Sequence, residues 1–206
     1  MPTTVATGKN VEWQLLTADE FLDWLQPGVF ADLIDGEKFM HSPVHLKHAR
    51  LVDFMRTLLK HYVERRGLGE ILSEVWAVRL DARTVFMPDI CYFTTGQVAA
   101  LTPTHARFAP RMVVEVLSRT TGDRDVGPKF AAYEHHEVEE YWILDPHELA
   151  HRFYAREGEL LVEFAHDEER IASRAIPGFW VAREWLNPEA LPPVLECLER
   201  SLSETS

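Results

Sequence analysis

The sequence predicts a mixed α/β fold in which helices flank a central mixed β-sheet, built as a single domain over residues 1–206. Three observations indicate this fold. A helical pattern opens the chain, a β-rich middle follows, and one helix interrupts the strands near residue 130. A chain of 206 residues can bury a sizeable core, and 46% hydrophobic residues exclude a disordered protein. We expect a core over about residues 17–180 and a C-terminal extension over residues 181–206.

Capping, turn and periodicity signals place the first elements. Thr17-Ala-Asp-Glu20 is a capping box that opens a short helix ending near Pro27. Asp35-Gly36 suits the tight turn of a β-hairpin. A long amphipathic helix follows from Pro43 to Gly67, where glycine suits the helix end.

Apolar runs bounded by turn residues predict the strands. These strands cover about residues 70–80, 85–93, 111–117, 140–144, 151–154 and 160–165. A helix over about residues 125–135 separates the third strand from the fourth. Prolines interrupt the end of the chain, which finishes in a helix over about residues 194–202.

Composition predicts a cytoplasmic protein without membrane contact. The chain has two cysteines, which give no disulfide framework. No apolar run approaches the roughly 18 residues needed to cross a bilayer. The first ten residues lack the apolar core of a secretion signal.

The charge is distributed unevenly along the chain. The formal net charge is −12, which by itself disfavours binding to nucleic acid. Residues 134–206 carry a net charge of −11, however, and residues 1–133 carry only −1. Basic residues are enriched over residues 46–66 and 103–130. This distribution permits an anionic substrate near those segments.

Two carboxylates inside apolar runs carry the strongest chemical signal. Asp89 lies in Met-Pro-Asp-Ile-Cys-Tyr-Phe and Glu115 in Met-Val-Val-Glu-Val-Leu. Burying a carboxylate is costly unless a metal ion or a proton neutralises it. Both can converge on one Mg²⁺, with the Val116 carbonyl as a further oxygen ligand. Lys129 can then position and help deprotonate a water, or stabilise charge on a phosphate.

The spacing of these two carboxylates in the sequence also allows two other interpretations. Asp89 and Glu115 can be structural ion-pair partners of arginine and lysine. They can also form the acid/base pair of a glycosidase, although that interpretation gives Lys129 no role.

Two histidine motifs have weaker functional interpretations. His147-Glu148-Leu149-Ala150-His151 matches H-E-x-x-H, a zinc motif when it lies on a helix. Its surroundings predict a strand, a turn and another strand, and four strand residues span roughly 13 Å, so we expect no zinc site. His45 and His48 have helical spacing, which is more typical of a surface or half-buried pair than of metal ligands.

Six motifs occur in order and resemble the PD-(D/E)xK nuclease superfamily, and more closely its Uma-two family of restriction-endonuclease-like proteins. The resemblance covers about residues 17–180 and implies a restriction-endonuclease-like core. The motifs are Ala31-Asp32-Leu33-Ile34-Asp35-Gly36-Glu37, Ser42-Pro43 with His48, Pro88-Asp89, Glu115-Val116-Leu117-Ser118, Asp125 to Lys129 with Tyr133, and Glu140 to Pro146.

The resemblance implies a role for several residues. Asp89 and Glu115 correspond to the metal carboxylates. The usual lysine lies two residues after the second carboxylate, where this chain has Leu117, and Lys129 is its migrated equivalent. Asp32 stands where the family usually has glutamate and is a candidate auxiliary acid, whereas Asp125 is a helix cap or an orienter of the lysine.

The implied function is a Mg²⁺-dependent DNA endonuclease in which Mn²⁺ can substitute, with no nucleotide cofactor. The alternative is a non-catalytic binding or assembly module with a nuclease fold, favoured by the acidic charge and by the lack of a recognisable DNA-reading motif. We also expect a homodimer, because the chain after the last strand keeps apolar residues that the core need not bury. These residues are Phe179, Trp180, Trp185, Leu186, Leu191, Val194, Leu195 and Leu198.

Overall fold

The computed structural model describes residues 15–73, 76–118 and 122–203, so the predicted absence of a secretion signal lies outside the described residues. The helices are α1 (Ala18–Trp24), α2 (Leu46–Arg66), α3 (Thr95–Val98), α4 (Gly122–Val126), α5 (Pro128–His135) and α6 (Val194–Ser203), with a 3-10 helix at Arg183–Leu186. The strands are β1 (Ala31–Ile34), β2 (Glu37–Met40), β3 (Gly69–Ser73), β4 (Ala77–Arg79), β5 (Val85–Phe86), β6 (Ile90–Thr94), β7 (His105–Ala106), β8 (Met112–Val116), β9 (Glu140–Leu144), β10 (Arg152–Glu157), β11 (Leu160–Phe164), β12 (Arg170–Ala172) and β13 (Trp180–Ala182).

Within the described residues, the strands form two larger sheets and one two-stranded sheet. The main sheet has six strands in the order β11-β10-β9-β8-β6-β3, and the second has five in the order β2-β1-β5-β4-β7. In the main sheet β8 and β9 are parallel and the other neighbours are antiparallel. The predicted mixed sheet flanked by helices is therefore confirmed.

Strand β8 at the centre of the main sheet shows how the layers are arranged. Val114 packs into the cluster formed with α2 and the C-terminal elements. Val113 lies on the opposite face, in a cluster with Phe86 of the five-stranded sheet and Tyr133 of α5. Because side chains alternate along a strand, Glu115 points to the same face as Val113. That carboxylate therefore lies between the two sheets, beside α5.

The long helix differs from its prediction at its N-terminus. It begins at Leu46, and the imidazole of His45 caps it by accepting a hydrogen bond from the Lys47 N–H at 3.3 Å. Leu46 and Ala49 have the helical spacing of an apolar face, which predicts that they are buried, but both are exposed. The buried face consists of His48, Leu51, Phe54, Met55, Leu58, Leu59, Tyr62 and Val63. Within the described ranges no helix has the length and apolar content to span a bilayer.

Two predicted strands are wrong in extent, because each is divided between the two sheets. Residues 70–80 supply β3 to the main sheet and β4 to the second, and residues 74 and 75 lie outside the described residues. Residues 85–93 supply β5 and β6, and Met87-Pro88-Asp89 carries the chain between the sheets. Proline has no N–H for strand pairing, so the ladder stops there.

The helix predicted over residues 125–135 is two helices. Gly127 separates α4 from α5 with a non-helical conformation, φ −116° and ψ −99°. Pro128 then occupies the first turn of α5, where a missing N–H costs no hydrogen bond. The break makes α5 start one residue before Lys129 and sets the direction of that side chain.

The C-terminal segment is folded against the main sheet. Five of the apolar side chains predicted to remain for a dimer are buried within the chain, namely Phe179, Trp180, Trp185, Leu186 and Leu198. Leu191 and Val194 pack partly against the same cluster, and Leu195 is 61% exposed. The interpretation of this segment as apolar surface left over for a partner is therefore wrong, and the homodimer stays a prediction without that support.

Glu140 anchors this segment to the start of β9. Its Oε2 accepts hydrogen bonds from Ser173 Oγ at 2.6 Å, the Arg174 N–H at 3.0 Å and the Ala175 N–H at 2.7 Å. Its Oε1 accepts one from Trp142 Nε1 at 2.7 Å. Burial raises the pKa of Glu140 to about 7 in spite of these donors. The Glu140 carboxyl group therefore connects the C-terminal segment to β9, at the end of that strand farther from Glu115.

Candidate active site

A cavity of about 50 Å³ lies where the two sheets meet α2, α4 and α5. All five residues predicted for the site line it, namely Asp32, Asp89, Glu115, Val116 and Lys129. A cavity of this size has room for an ion or a few water molecules. The structure therefore brings the predicted residues together, while their roles stay predictions.

Three carboxylates reach the cavity from two different sheets. Asp32 lies on β1 of the five-stranded sheet, and its Oδ1 accepts a hydrogen bond from the Met87 N–H at 2.8 Å. Asp89 immediately precedes β6, and the pairing of Ile90 with Val114 brings it beside Glu115 on β8. The passage of the chain through residues 87–89 thus fixes all three carboxylates relative to one another.

Asp89 and Glu115 are joined through backbone hydrogen bonds. The Val116 N–H donates to Asp89 Oδ2 at 2.7 Å, and the Asp89 N–H donates to Glu115 Oε2 at 3.2 Å. His48 Nε2 lies 3.4 Å from the same Oδ2 of Asp89. Within the described part of the chain Asp89 Oδ1 has no protein hydrogen-bond donor, which leaves this oxygen for a ligand.

Lys129 lies among three carboxylates. Its Nζ is 2.9 Å from Glu115 Oε1, 3.2 Å from Asp32 Oδ2 and 3.5 Å from Asp125 Oδ1. The residue is only 5% exposed. Burial alone would lower the pKa of Lys129, but the three carboxylates outweigh burial and hold the pKa well above its ordinary value. The ammonium is therefore charged at neutral pH.

The four carboxylates at the cavity differ in the direction in which their pKa values are shifted. Burial, opposed by Lys129, raises the pKa of Glu115 to about 8 and that of Asp125 to about 6, and the neighbouring carboxylates add to the rise. For Asp32, burial is outweighed by Lys129 and His41, so its pKa falls to about 2. The pKa of Asp89 is likewise lowered by His48 and the Val116 N–H against the effect of burial. The site holds more negative charge than Lys129 neutralises.

Two further side chains complete the network. Tyr133 donates its hydroxyl to Glu115 Oε1 at 3.0 Å, and His41 Nε2 lies 3.0 Å from Asp32 Oδ2. Tyr133 is one helical turn after Lys129 and shares its face of α5, a spacing that points to it in the sequence. His41 follows β2 in a polar segment, where no sequence signal distinguishes it.

His48 is placed differently from its prediction. The sequence favoured a surface or half-buried histidine, but His48 is 3% exposed and contacts Asp89. The buried face of α2 runs back through Leu51 and Met55 to His48 at helical spacing. That periodicity is the signal that identifies His48 as a residue of the site.

The residues present fit a hard divalent cation. Carboxylate and carbonyl oxygens are the ligands that Mg²⁺ prefers, and it commonly keeps several waters. Within residues 15–73, 76–118 and 122–203 no three His, Cys, Asp or Glu side chains form a preformed metal cage. Two carboxylates, one carbonyl and waters do not require such a cage, and the carboxylates crowded around Glu115, which add to the rise that burial causes in its pKa, favour a cation. Asp89 Oδ1 and Glu115 are therefore the oxygens suited to hold it.

The H-E-x-x-H stretch is not helical. Its last histidine, His151, accepts a hydrogen bond from the Asp145 N–H through Nδ1 at 3.0 Å and immediately precedes β10. Burial, followed by the nearby Arg183, lowers the pKa of His151 to about 4. The imidazole is therefore a neutral structural acceptor in this turn.

Comparison with known proteins agrees with this fold. A crystal structure of a putative nuclease belonging to DUF820 from Anabaena variabilis ATCC 29413 matches with a TM-score of 0.67 and 16% sequence identity. The match covers 90% of this chain and 99% of that one. No curated protein matches the chain. The family model of Uma2, described as a putative restriction endonuclease, matches residues 18–187. The chain therefore belongs to the Uma2 family.

Proposed function

We propose that this protein is an endonuclease that hydrolyses phosphodiester bonds in DNA with Mg²⁺, for which Mn²⁺ can substitute. The observation that carries the proposal is the meeting of Asp89, Glu115 and a charged Lys129 at one cavity between the sheets. Membership in a family of nuclease-like proteins supports it. No nucleotide cofactor takes part in this proposal.

Each residue at the cavity has a distinct task in the proposed reaction. Asp89 and Glu115 would hold the cation, together with the Val116 carbonyl. The bound cation would supply an activated water and neutralise charge on the phosphate. Because its pKa is well above the ordinary value, Lys129 stays protonated and stabilises developing phosphate charge rather than taking a proton. Asp32 and Asp125 hold the ammonium in place.

Metal-dependent cleavage of plasmid DNA and short duplexes by the purified protein tests the proposal. We expect cleavage with Mg²⁺ or Mn²⁺, none in EDTA, and loss of cleavage to background in Glu115→Ala. Asp53→Ala is the matched control, because Asp53 is an exposed acid on α2 that pairs with Arg56. Failure of the wild type to cleave any of these substrates with either ion would overturn the proposed activity.

A non-catalytic binding or assembly module is the second candidate. It is favoured by the net charge of −12 and by the hydrogen bonds and ion pairs that the site carboxylates already form within the chain. Calorimetry separates the two candidates. The endonuclease should bind Mg²⁺ and lose that binding in Asp89→Asn, whereas a structural module need not bind the ion.

The homodimer and the cytoplasmic location are carried forward as proposals. The apolar side chains Met40, Val44 and Leu46 are exposed, and Val44 also lines the cavity; these side chains could contribute to a contact between copies. Light scattering at micromolar concentration should give twice the chain mass of 23.7 kDa. A monomer mass under those conditions would exclude the dimer.

A further inference from the structure

Arg124 is a cation at the cavity that the proposed reaction does not yet use. It precedes Asp125 on α4 and lines the cavity with the carboxylates. Unlike Lys129 it is only half-buried. Its guanidinium carbon lies 5.3 Å from the centre of the Phe39 ring, and Phe39 pairs with Asp32 across the β1–β2 hairpin. The guanidinium is therefore held beside the cavity by a contact that uses none of its N–H groups.

The other cations at the cavity are already committed to carboxylates. Lys129 Nζ contacts three of them, and His41 and His48 each lie beside an aspartate. Among the described residues that line the cavity, Arg124 is the basic side chain without an ion pair. Among the described residues of the cavity, this guanidinium is therefore the positive charge that an incoming phosphate can meet without competing with a carboxylate.

We propose that Arg124 is a substrate-binding residue that holds a non-bridging oxygen of the scissile phosphodiester at the cavity. This inference rests on the proposed function, since it assigns the group that receives the substrate of that reaction. A planar guanidinium suits phosphate because two parallel N–H groups can donate to two oxygens. Lys129, which is buried at the same cavity, then acts on the same phosphate from the side of Glu115. In this proposal Arg124 binds the phosphate, and Lys129 stabilises the charge that develops on it during the reaction.

The alternative is that Arg124 is a surface arginine that only covers the Phe39 ring. Such a contact is weak at an exposed site, so its removal predicts only a small loss of stability. It predicts no change in the salt dependence of DNA binding. If Arg124 contacts a phosphate, its substitution does change the salt dependence. Each neutralised phosphate releases counterions and adds about 0.9 to the magnitude of the slope of log K against log salt concentration.

The test measures fluorescence anisotropy of a labelled 30-base-pair duplex in EDTA, so that binding is seen without cleavage, over a series of salt concentrations. We expect Arg124→Gln to weaken binding by about tenfold and to reduce the salt slope by about one phosphate contact. Arg124→Lys keeps the charge, so it should keep the slope and lose less affinity. Arg66→Gln is the matched control, since Arg66 is exposed and lies about 27 Å from His48 along α2.

The outcomes separate this inference from the proposed function. Wild-type affinity and slope in Arg124→Gln, or an equal loss in Arg66→Gln, overturn the role of Arg124 and leave the endonuclease intact if the wild type cleaves with Mg²⁺. A wild type that binds the duplex through Arg124 but never cleaves it supports the phosphate contact and overturns the endonuclease. A wild type that neither binds nor cleaves DNA overturns both.

Discussion

Lys129→Ala should reduce DNA cleavage by between about a hundredfold and a thousandfold while Mg²⁺ affinity stays equal or rises. The loss in rate follows from removing a buried positive charge that faces the reacting phosphate. The gain in affinity follows because the ammonium lies 2.9 Å from Glu115 Oε1 and repels a cation at the same carboxylate. Lys129→Arg should restore little activity, since a broad guanidinium does not fit the place of a compact ammonium.

Lys129→Ala should also lower the free energy of unfolding. Without Lys129, the buried carboxylates of Glu115, Asp32 and Asp125 lose their shared counter-ion, which costs about 3–5 kcal/mol in the metal-free protein. Mg²⁺ should restore much of this loss, because a ligand that binds only the folded state stabilises it.

Thermal melts with and without Mg²⁺, calorimetric metal titrations and the cleavage assay measure the three quantities. Lys60→Ala is the matched control, as Lys60 is exposed on α2 and reaches Glu64 at 3.9 Å. Wild-type cleavage by Lys129→Ala would show that Lys129 has not replaced the lysine missing at Leu117.

Glu140→Ala should destabilise the fold by about 3–5 kcal/mol without a direct effect on the cavity. It leaves two buried donors, Trp142 Nε1 and the Ala175 N–H, and two partly buried donors, Ser173 Oγ and the Arg174 N–H, without their acceptor. Each fully buried donor left unpaired costs about 1–3 kcal/mol before relaxation. Urea unfolding measures the loss. Glu139→Ala is the control next to it, since Glu139 is more exposed and pairs with Arg111 near the surface, where an ion pair contributes at most about 1 kcal/mol. Equal losses in the two variants would contradict the anchoring role.

The carboxyl of Glu140 also gives a pH dependence of fixed sign. Its pKa is about 7 in the folded chain and 4.5 in the unfolded reference. The folded state therefore binds the proton more tightly, and stability decreases as pH rises from about 4.5 to 7, by about 3 kcal/mol. In Glu140→Gln the urea unfolding free energies should decrease less over the same pH range, because Glu140 no longer contributes, while the contributions of Glu115 and Asp125, whose pKa values are also raised, remain. A wild-type stability that rises through this window would contradict the direction of the shift.

Sequence patterns predicted most elements but not their distribution between sheets. The capping box at residues 17–20, the end of α2 at Gly67 and the strands around Glu115 and Glu140 are confirmed, because each depends on local signals. The division of residues 70–80 and 85–93 depends on which distant strands they pair with. Local periodicity carries no information about a partner that lies elsewhere in the chain.

The candidate site was predictable where charge interrupts an apolar pattern. Asp89 and Glu115 stand out in this way, and the structure places them side by side. His41 and Arg124 lie in segments that already contain polar residues, so neither stands out individually, although Arg124 belongs to the basic segment over residues 103–130. Their positions at the cavity arise from the approach of the β1–β2 hairpin and α4 to the main sheet.

Lys129 contacts both Asp32 of the smaller sheet and Glu115 of the larger one, so the site also holds the two sheets together. Opening of the β1–β2 hairpin would expose the carboxylates and separate the ammonium from one of its partners. Any cation or phosphate held there therefore raises the free energy of that local opening. Slower hydrogen exchange of the β1 amides would be its sign. Binding of a ligand in the small cavity would thus reduce local opening across the whole β1–β2 hairpin, including residues that do not contact the ligand.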